Sequence, residues 1–376
     1  MSPAWLEIRA QAPRFAIIVL GLTFIQLAAL GMLGFYRGLV RDMLVIVDGI
    51  GADFWIVQGG RTGPFAEISI LPPQMDRRAE TVPGVSLARQ FIQFPRMVEI
   101  DGAVRRVGIT GLDYPKDRGD WIPLLAGRAL ATGHFEAIVD RRTGLALGDR
   151  LRLGMDDYTI VGIAQDQVDL TFDPVIFVSV PDAIAIGGTV TSETALLNRA
   201  AGGQPQNYDV SSVLVTVADW ADPAEVAARI ARWPDVAIVP TAQQRSWIVD
   251  DMLGPLRRQI LYFTVLLLAV TGTILGLTVH GAVLQKAHFI ALIKLLGASR
   301  LFVIRHVLAQ SCLVGAASLA LAVVIAAALF PAFPRTVLLT SADLAAFGAA
   351  LALVCLLASL SGIRTAMRIP ARAALG

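Results

Sequence analysis

The sequence predicts an α-helical membrane domain of four spanning helices, arranged one plus three, with a large mixed α+β domain inserted between the first and second. Three observations predict it. Hydrophobic residues make up 55% of the chain and gather in four runs. Each run is long enough to cross a bilayer core of roughly 30 Å, which takes about 20 helical residues. Residues Arg37 to Gln259, between the first two runs, have ordinary globular polarity and are numerous enough to bury a core of their own. Lys and Arg are distributed unevenly around the runs, as they are around membrane spans.

The first run, Phe15 to Tyr36, has a longer apolar core than a signal peptide. The FYRGLVRD that closes it lacks a small-residue cleavage pattern, so it reads as an uncleaved anchor. The others are Ile260 to Leu284, Val307 to Phe330 and Leu344 to Ile363, interrupted almost only by small or weakly polar residues. Each is expected to be a helix, because unpaired backbone is not tolerated in lipid. Arg9 and Arg14 lie in segment 1–14. Lys286, Lys294, Arg300 and Arg305 fill the connection 285–306, and Arg364, Arg368 and Arg372 lie in segment 364–376. The connection 331–343 carries only Arg335. The positive-inside rule therefore places both termini and 285–306 in the cytoplasm. It puts 331–343 and the domain 37–259 together on the opposite, external face. Every acidic residue except Glu7 and Asp343 falls between Asp42 and Asp251. The net charge of +2 thus reports orientation and not a nucleic-acid partner.

Within the inserted domain, Asp53 to Gln58 (DFWIVQ) reads as a strand, Pro73 to Thr81 as a short helix, and Gly84 to Phe94 as β again. Near its other end Ser212 to Val217 alternates like a strand. Pro223 to Arg232 has helical periodicity with Pro at its start, and Val236 to Val239 is apolar. Each end therefore carries a β-α-β unit. The middle, about 101–182, is punctuated by Gly and Pro and holds short β-like runs at Arg150 to Leu153, Tyr158 to Ile163 and Val175 to Val180. It reads as a β-rich insert between two halves. Gly187 to Asn207 is polar and Gly-rich and reads as a flexible loop.

Motifs that carry chemistry are absent: there is no G-x-x-x-x-G-K-[ST], H-E-x-x-H, G-x-S-x-G or C-x-x-C. The sequence thus offers no catalytic residue, cofactor site or metal site, and any energy source must come from another chain. Asp166, Asp169 and Asp173 lack the Gly and register of a calcium loop and read as a solvated turn. Asp156-Asp157 reads as a hairpin turn. His134 stands alone in the inserted domain, whereas His280, His288 and His306 sit near membrane boundaries as amphipathic residues. Cys312 and Cys355 fall within spans and act as small apolar residues. Gly272 and Gly276 form G-x-x-x-G, followed by Gly281, and are candidates for helix packing within the chain or in a homodimer. Thr264, Thr271, Thr273 and Thr278 are expected to bond their own helix carbonyls.

The connection QKAHFIALIKLLGASRLFVIRH (285–306) has local logic of its own. Phe289, Ile290, Ile293 and Leu296 form one stripe of a short helix. Gly297 suits a left-handed stop, and Ser299 can cap a helix starting at Arg300. Physically it is either a passive interfacial linker or a lever bearing Lys294 and Arg300 that a partner grips.

The phrase IALIKLLGASR (Ile290 to Arg300) resembles the coupling segment of the FtsX-like or MacB-like (type VII) ABC-transporter permeases. GADFWIVQGG, PGV (Pro83 to Val85), LALGDRLRL (Leu145 to Leu153), TIVGI (Thr159 to Ile163) and the terminal RIPARAALG follow that family's order over nearly the full length. The resemblance implies a homodimer resting on a separate dimer of ATPase subunits that bind ATP and Mg. Phe289, Ile290, Ile293, Lys294, Leu296, Gly297 and Arg300 would form the ATPase contact. Many relatives carry an acidic residue where Phe289 stands, so an apolar knob is expected in place of a salt bridge. The chain is also similar to the DevC-like branch, which lacks a fused ATPase and works with a membrane-fusion-type adaptor and an outer-membrane channel. The function so implied is ATP-driven export or extraction of a lipid, glycolipid, peptide or lipoprotein, with membrane lipids as neighbours. The alternative is an FtsX-like scaffold that signals to a periplasmic partner without moving cargo.

Overall fold

The computed structural model describes residues 12–63, 69–72, 74–188, 210–288, 291–292, 299–333 and 335–368. The chain divides into two compact units, Met1–Leu39 with Gly254–Gly376 and, separately, Val40–Leu253. Helix α1 (Ala12–Gly49) contributes residues to both. It is longer than the run Phe15 to Tyr36. Its 38 residues span about 57 Å at 1.5 Å per residue, far more than a bilayer core requires. The helix passes through the charged stretch after Tyr36 because Met43, Ile46, Val47 and Ile50 recur at helical spacing and are all buried. Gly51, at φ +66°, takes the left-handed conformation that closes it.

The unit Val40–Leu253 is built on two joined sheets. β1 (Phe54–Gln58), α2 (Met75–Glu80) and β2 (Val85–Ile100) make one β-α-β unit. β9 (Ser212–Val217), α4 (Pro223–Ile230) and β10 (Val236–Pro240) make the other. Their strands interleave in the antiparallel order β10-β1-β9-β2. Between them come β3 (Ala103–Leu112), β4 (Leu124–Gly127), β5 (Glu136–Asp140), β6 (Arg150–Leu153), β7 (Asp156–Ala164), β8 (Val175–Ser179) and α3 (Val180–Gly187). They extend the order as β2-β3-β8-β5-β7-β4, with β6 also on β7.

Three expectations need revision. The insert boundary near Asp101 falls inside a continuous β meander. β2 pairs with β9 through Phe91 and with β3 from Ile92, so one strand serves both sheets, and Asp101-Gly102 is only its hairpin turn, both residues having positive φ. The β6–β7 turn is Gly154-Met155, not Asp156-Asp157. Leu153 pairs with Asp156, and Gly154 supplies the left-handed residue. The turn 166–173 is not a solvated one. Asp169 is 9% exposed, and its Oδ1 accepts from Thr171 N, Thr171 Oγ1 and Asp173 N at 2.8–2.9 Å. Asp166 pairs with Arg141 at 2.7 Å. The stretch Gly187–Asn207 lies outside the described residues from 189 onward, as do segments 1–11 and 369–376.

Three apolar layers result. Ala88, Val213, Val215 and Val226 lie between the four-stranded half and helices α2 and α4. Trp55, Phe91, Ile138, Phe177 and Leu214, with Ile46 and Ile50 of α1, fill the space between the two sheets. Val107, Val139, Leu151, Tyr158 and Ile176, with Ala183 and Ile186 of α3, form the third. α5 (Thr241–Ser246) and a π turn at Trp247–Met252 complete the unit.

In the other unit α6 (Gly254–Gln285), α7 (Arg300–Leu329) and α8 (Ser341–Arg368) join α1 as the four helices, among the described residues, long and apolar enough to cross a membrane. α8 buries Phe347, Leu351, Cys355, Ser359, Gly362 and Ala366, a stripe at three- and four-residue spacing.

A cation pins α2 to the sheet. Lys116 Nζ donates to Asp76 Oδ2 at 2.9 Å, Glu80 Oε1 at 2.7 Å and the Ala88 carbonyl at 2.9 Å. Burial disfavours the Asp76 carboxylate, but hydrogen bonds from Gln90 and Lys116 outweigh it and hold its pKa below the ordinary 3.8. Asp76 therefore contributes stability that is full above pH 3.8 and lost as the pH falls through its depressed value. Lys116→Met should remove about 2–4 kcal/mol by leaving Asp76 buried and unpaired. It should also flatten the acid limb of the melting-temperature profile, because without Lys116 the Asp76 carboxyl is held less far below its unfolded value; an unchanged limb would contradict the pairing.

Candidate functional site

The last turns of α1 are built into the core of the unit Val40–Leu253. A Cβ on Gly49 would lie 2.8 Å from the Trp121 ring, so only glycine lets the helix seat there. The Ile50 carbonyl, at the helix end, accepts from Arg89 Nη2 at 2.6 Å. Arg89 Nη1 donates to Asp117 Oδ2 at 2.8 Å, with side chains only 8% and 4% exposed. Asp117 Oδ1 accepts in turn from Gly119 N at 2.9 Å and Trp121 Nε1 at 3.2 Å. One buried cation thereby satisfies an orphan helix carbonyl and a buried carboxylate together. At the rim Arg245 reaches Asp48 at 3.3 Å, and Arg142 lies 3.8 Å from the buried Asp42.

The other end of the expected site is the connection 285–306. α7 begins at Arg300, and Ser299 is its N-cap, its Oγ accepting from Phe302 N at 3.3 Å. Phe289, Ile290, Ile293, Lys294, Leu296 and Gly297 lie outside the described residues, and only the backbone of Arg300 is described.

Gly272 and Gly276 face α8 of the same chain. A Cβ on Gly272 would sit 3.0 Å from Val354, one on Gly276 3.7 Å from the Ala358 carbonyl, and Ser361 Oγ donates to the Gly276 carbonyl at 3.3 Å. Gly281 follows on α6, half-buried. Thr264, Thr271, Thr273 and Thr278 each donate to the carbonyl four residues earlier, at 2.7–2.9 Å. His280 Nδ1 is 3.0 Å from Thr365 Oγ1, and His134 Nδ1 is 2.9 Å from Asp182 Oδ1.

Sequence reasoning missed the contacts of α1 with its helical neighbours. Gln26 Nε2 donates to Ser318 Oγ at 2.9 Å, and Thr23 Oγ1 reaches the Ser318 carbonyl at 3.3 Å. Such bonds register one membrane helix on another. Further along, Gly34 and Gly38 face the segment 336–339. Leu338 N donates to the Gly34 carbonyl at 2.9 Å, and a Cβ on Gly38 would run into the Thr336 carbonyl. Arg37 Nη2 donates to Asp343 Oδ1 at 2.6 Å, and its Nε pairs with Oδ2. The G-x-x-x-G spacing of 34 and 38 was a readable signal. The partners, some three hundred residues on, were not.

A family model for the MacB-like periplasmic core domain matches residues 15–233, and one for the FtsX-like permease C-terminal matches residues 261–371. An uncharacterized ABC transporter permease of Mycobacterium tuberculosis is 27% identical over 371 residues, covering 96% of this chain and 94% of that one. A second from the same organism is 23% identical over 367 residues, covering 96% and 95%. The crystal structure of the periplasmic region of MacB from Actinobacillus actinomycetemcomitans is 12% identical, covers 54% of this chain and 95% of that one, and aligns with a TM-score of 0.37.

Arg89→Met should cost about 3–5 kcal/mol, because Asp117 would stay buried without its cation. Tryptophan fluorescence during denaturant unfolding reads this directly, since Trp121 lies at the lost contact. A cost below about 1 kcal/mol, the level of an exposed pair, would show that water replaces the guanidinium.

Proposed function

This chain belongs to the family with a MacB-like periplasmic core domain and an FtsX-like permease C-terminal region, and from that premise we propose that it relays ATP-driven motion through α1. It is an ABC transporter permease of the MacB/FtsX type, a class whose energy comes from an ATPase partner. In our reading a dimer of separate ATPase subunits, binding ATP and Mg, grips the connection 285–306 on the cytoplasmic side of a bacterial inner membrane. Phe289 inserts as an apolar knob, with Ile290, Ile293, Lys294, Leu296, Gly297 and Arg300 around it. Two copies of the chain work together, with the unit Val40–Leu253 on the outer face. The work done there is export or extraction of a lipid, glycolipid, peptide or lipoprotein, handed to a membrane-fusion-type adaptor and an outer-membrane channel.

The observation that carries this reading is the continuity of α1. Its first turns are an apolar span and its last turns belong to the packed core around Trp55 and Phe91. A helix transmits displacement along its axis because stretching it breaks backbone hydrogen bonds, each worth about 1 kcal/mol net. Absence of any catalytic motif in the sequence agrees with a subunit that moves and does not itself hydrolyse ATP.

The test is purification of the full-length chain from its native membrane in detergent, with mass spectrometry of what accompanies it. An ATP-hydrolysing subunit should be retained. Phe289→Asp or Lys294→Glu should lower that retention about tenfold, the effect of losing roughly 1.4 kcal/mol at an interface. Retention unchanged in both variants would defeat the assignment.

A further inference from the structure

Gly31, Gly34 and Gly38 form a track along one face of α1. Phe330 lies over Gly31, Val337 to Leu339 over Gly34, and Thr336 over Gly38. The strap that lies on this track has little to hold it by burial, since each of residues 335–339 is only half-buried. What fixes it is polar. Asp343 Oδ2 accepts from Thr340 N at 3.1 Å and Thr340 Oγ1 at 2.7 Å, while Thr340 Oγ1 accepts from Asp343 N at 3.2 Å. This is the reciprocal capping box at the start of α8. The same carboxylate, 8% exposed, takes both nitrogens of Arg37, whose side chain is 46% exposed.

The track and the ion pair respond differently to a shift of α1 along its axis. A shift of one turn toward the C-terminal end of α1, about 5.4 Å, brings Gly34 to the place of Gly38, where a Cβ would run into backbone, and puts Leu30 at the place of Gly34, where its Cβ presses first on the Val337 side chain; the opposite shift would drive Asp42 into the Thr336 carbonyl. The first of these shifts carries Arg37 out of reach of Asp343 and also parts Gln26 and Thr23 from Ser318, neutral hydrogen bonds that are weaker than the charged pair. Elements packed through such repeating contacts have discrete one-turn alternatives. We propose that Arg37 and Asp343 form a releasable latch that holds α1 in one of two axial registers on the 335–340 strap. The half-exposed arginine is the side that water can take over when the latch opens. The latch is a property of this chain alone; only the force that opens it rests on the function proposed above.

Spin labels at Ile17 and Ala346, both exposed, report the register, with Cys312→Ser and Cys355→Ala removing the native thiols. The full-length chain in lipid nanodiscs should give one distance in the wild type and with Arg37→Lys. Arg37→Gln and Asp343→Asn, which keep the strap and the capping box, should each add a second distance displaced by up to one turn, about 5 Å. The double variant should match the single ones, because each alone already opens the pair. A single unshifted distance in both single variants, or a featureless broad one, overturns the latch. With an ATPase subunit retained, ATP should populate the second distance in the wild type, and failure there overturns its part in the cycle. Loss of the subunit from the wild type defeats the proposed function and leaves the comparison without ATPase to decide the latch.

Discussion

The buried guanidinium of Arg89 is the contact on which the rest of the chain's organisation depends. It joins the Ile50 carbonyl, Asp117 and, through Asp117, the Trp121 ring edge. A helix end normally keeps its last carbonyls in water or gives them to a cap. Here a charged donor takes one inside a core, an arrangement that is stable only because a carboxylate neutralises the donor beside it. The end of α1 is thereby an internal element of the unit Val40–Leu253, on the same footing as its strands. Ile46 and Ile50 bury against Trp55, Phe91 and Phe177 for the same reason.

The helical unit follows a different physical economy. Lipid removes the hydrophobic drive for one helix to find another, so close approach and interhelical hydrogen bonds decide the packing. Gly272, Gly276 and Gly362 bring α6 and α8 together, and Gln26 and Thr23 of α1 meet Ser318 of α7. The α6 threonines donate back onto their own helix carbonyls. The Arg37–Asp343 pair lies where α1 meets the strap, at the start of α8, and a paired charge costs less there than in mid-span.

Much of this was legible in the sequence, for identifiable reasons. Spans are written in long apolar runs, and strands such as Ser212–Val217 and Arg150–Leu153 in alternation, because both patterns come from local burial. The β-α-β ends were legible from Pro223 and the apolar stretches around it. Less legible was the length of α1, since the charges at Arg37, Arg41, Asp42 and Asp48 read as the end of a span although helical spacing continues beneath them. The Gly154-Met155 turn was displaced by two residues because Asp-Asp is also good turn chemistry. Arg89, Arg37 and Asp343 carried no signal at all. Each is an ordinary charged residue whose partner is fixed by tertiary packing far away in sequence.

The central claim is that α1 is one continuous helix from Ala12 to Gly49. Hydrogen exchange of the α1 amides from Leu30 to Gly49, in the full-length chain in lipid nanodiscs, tests it most directly. The account predicts slow exchange without a gap across Tyr36 to Met43, the stretch where the sequence alone would end the helix. A fast-exchanging run there, between protected segments on either side, would mean two helices joined by a flexible turn and would contradict it.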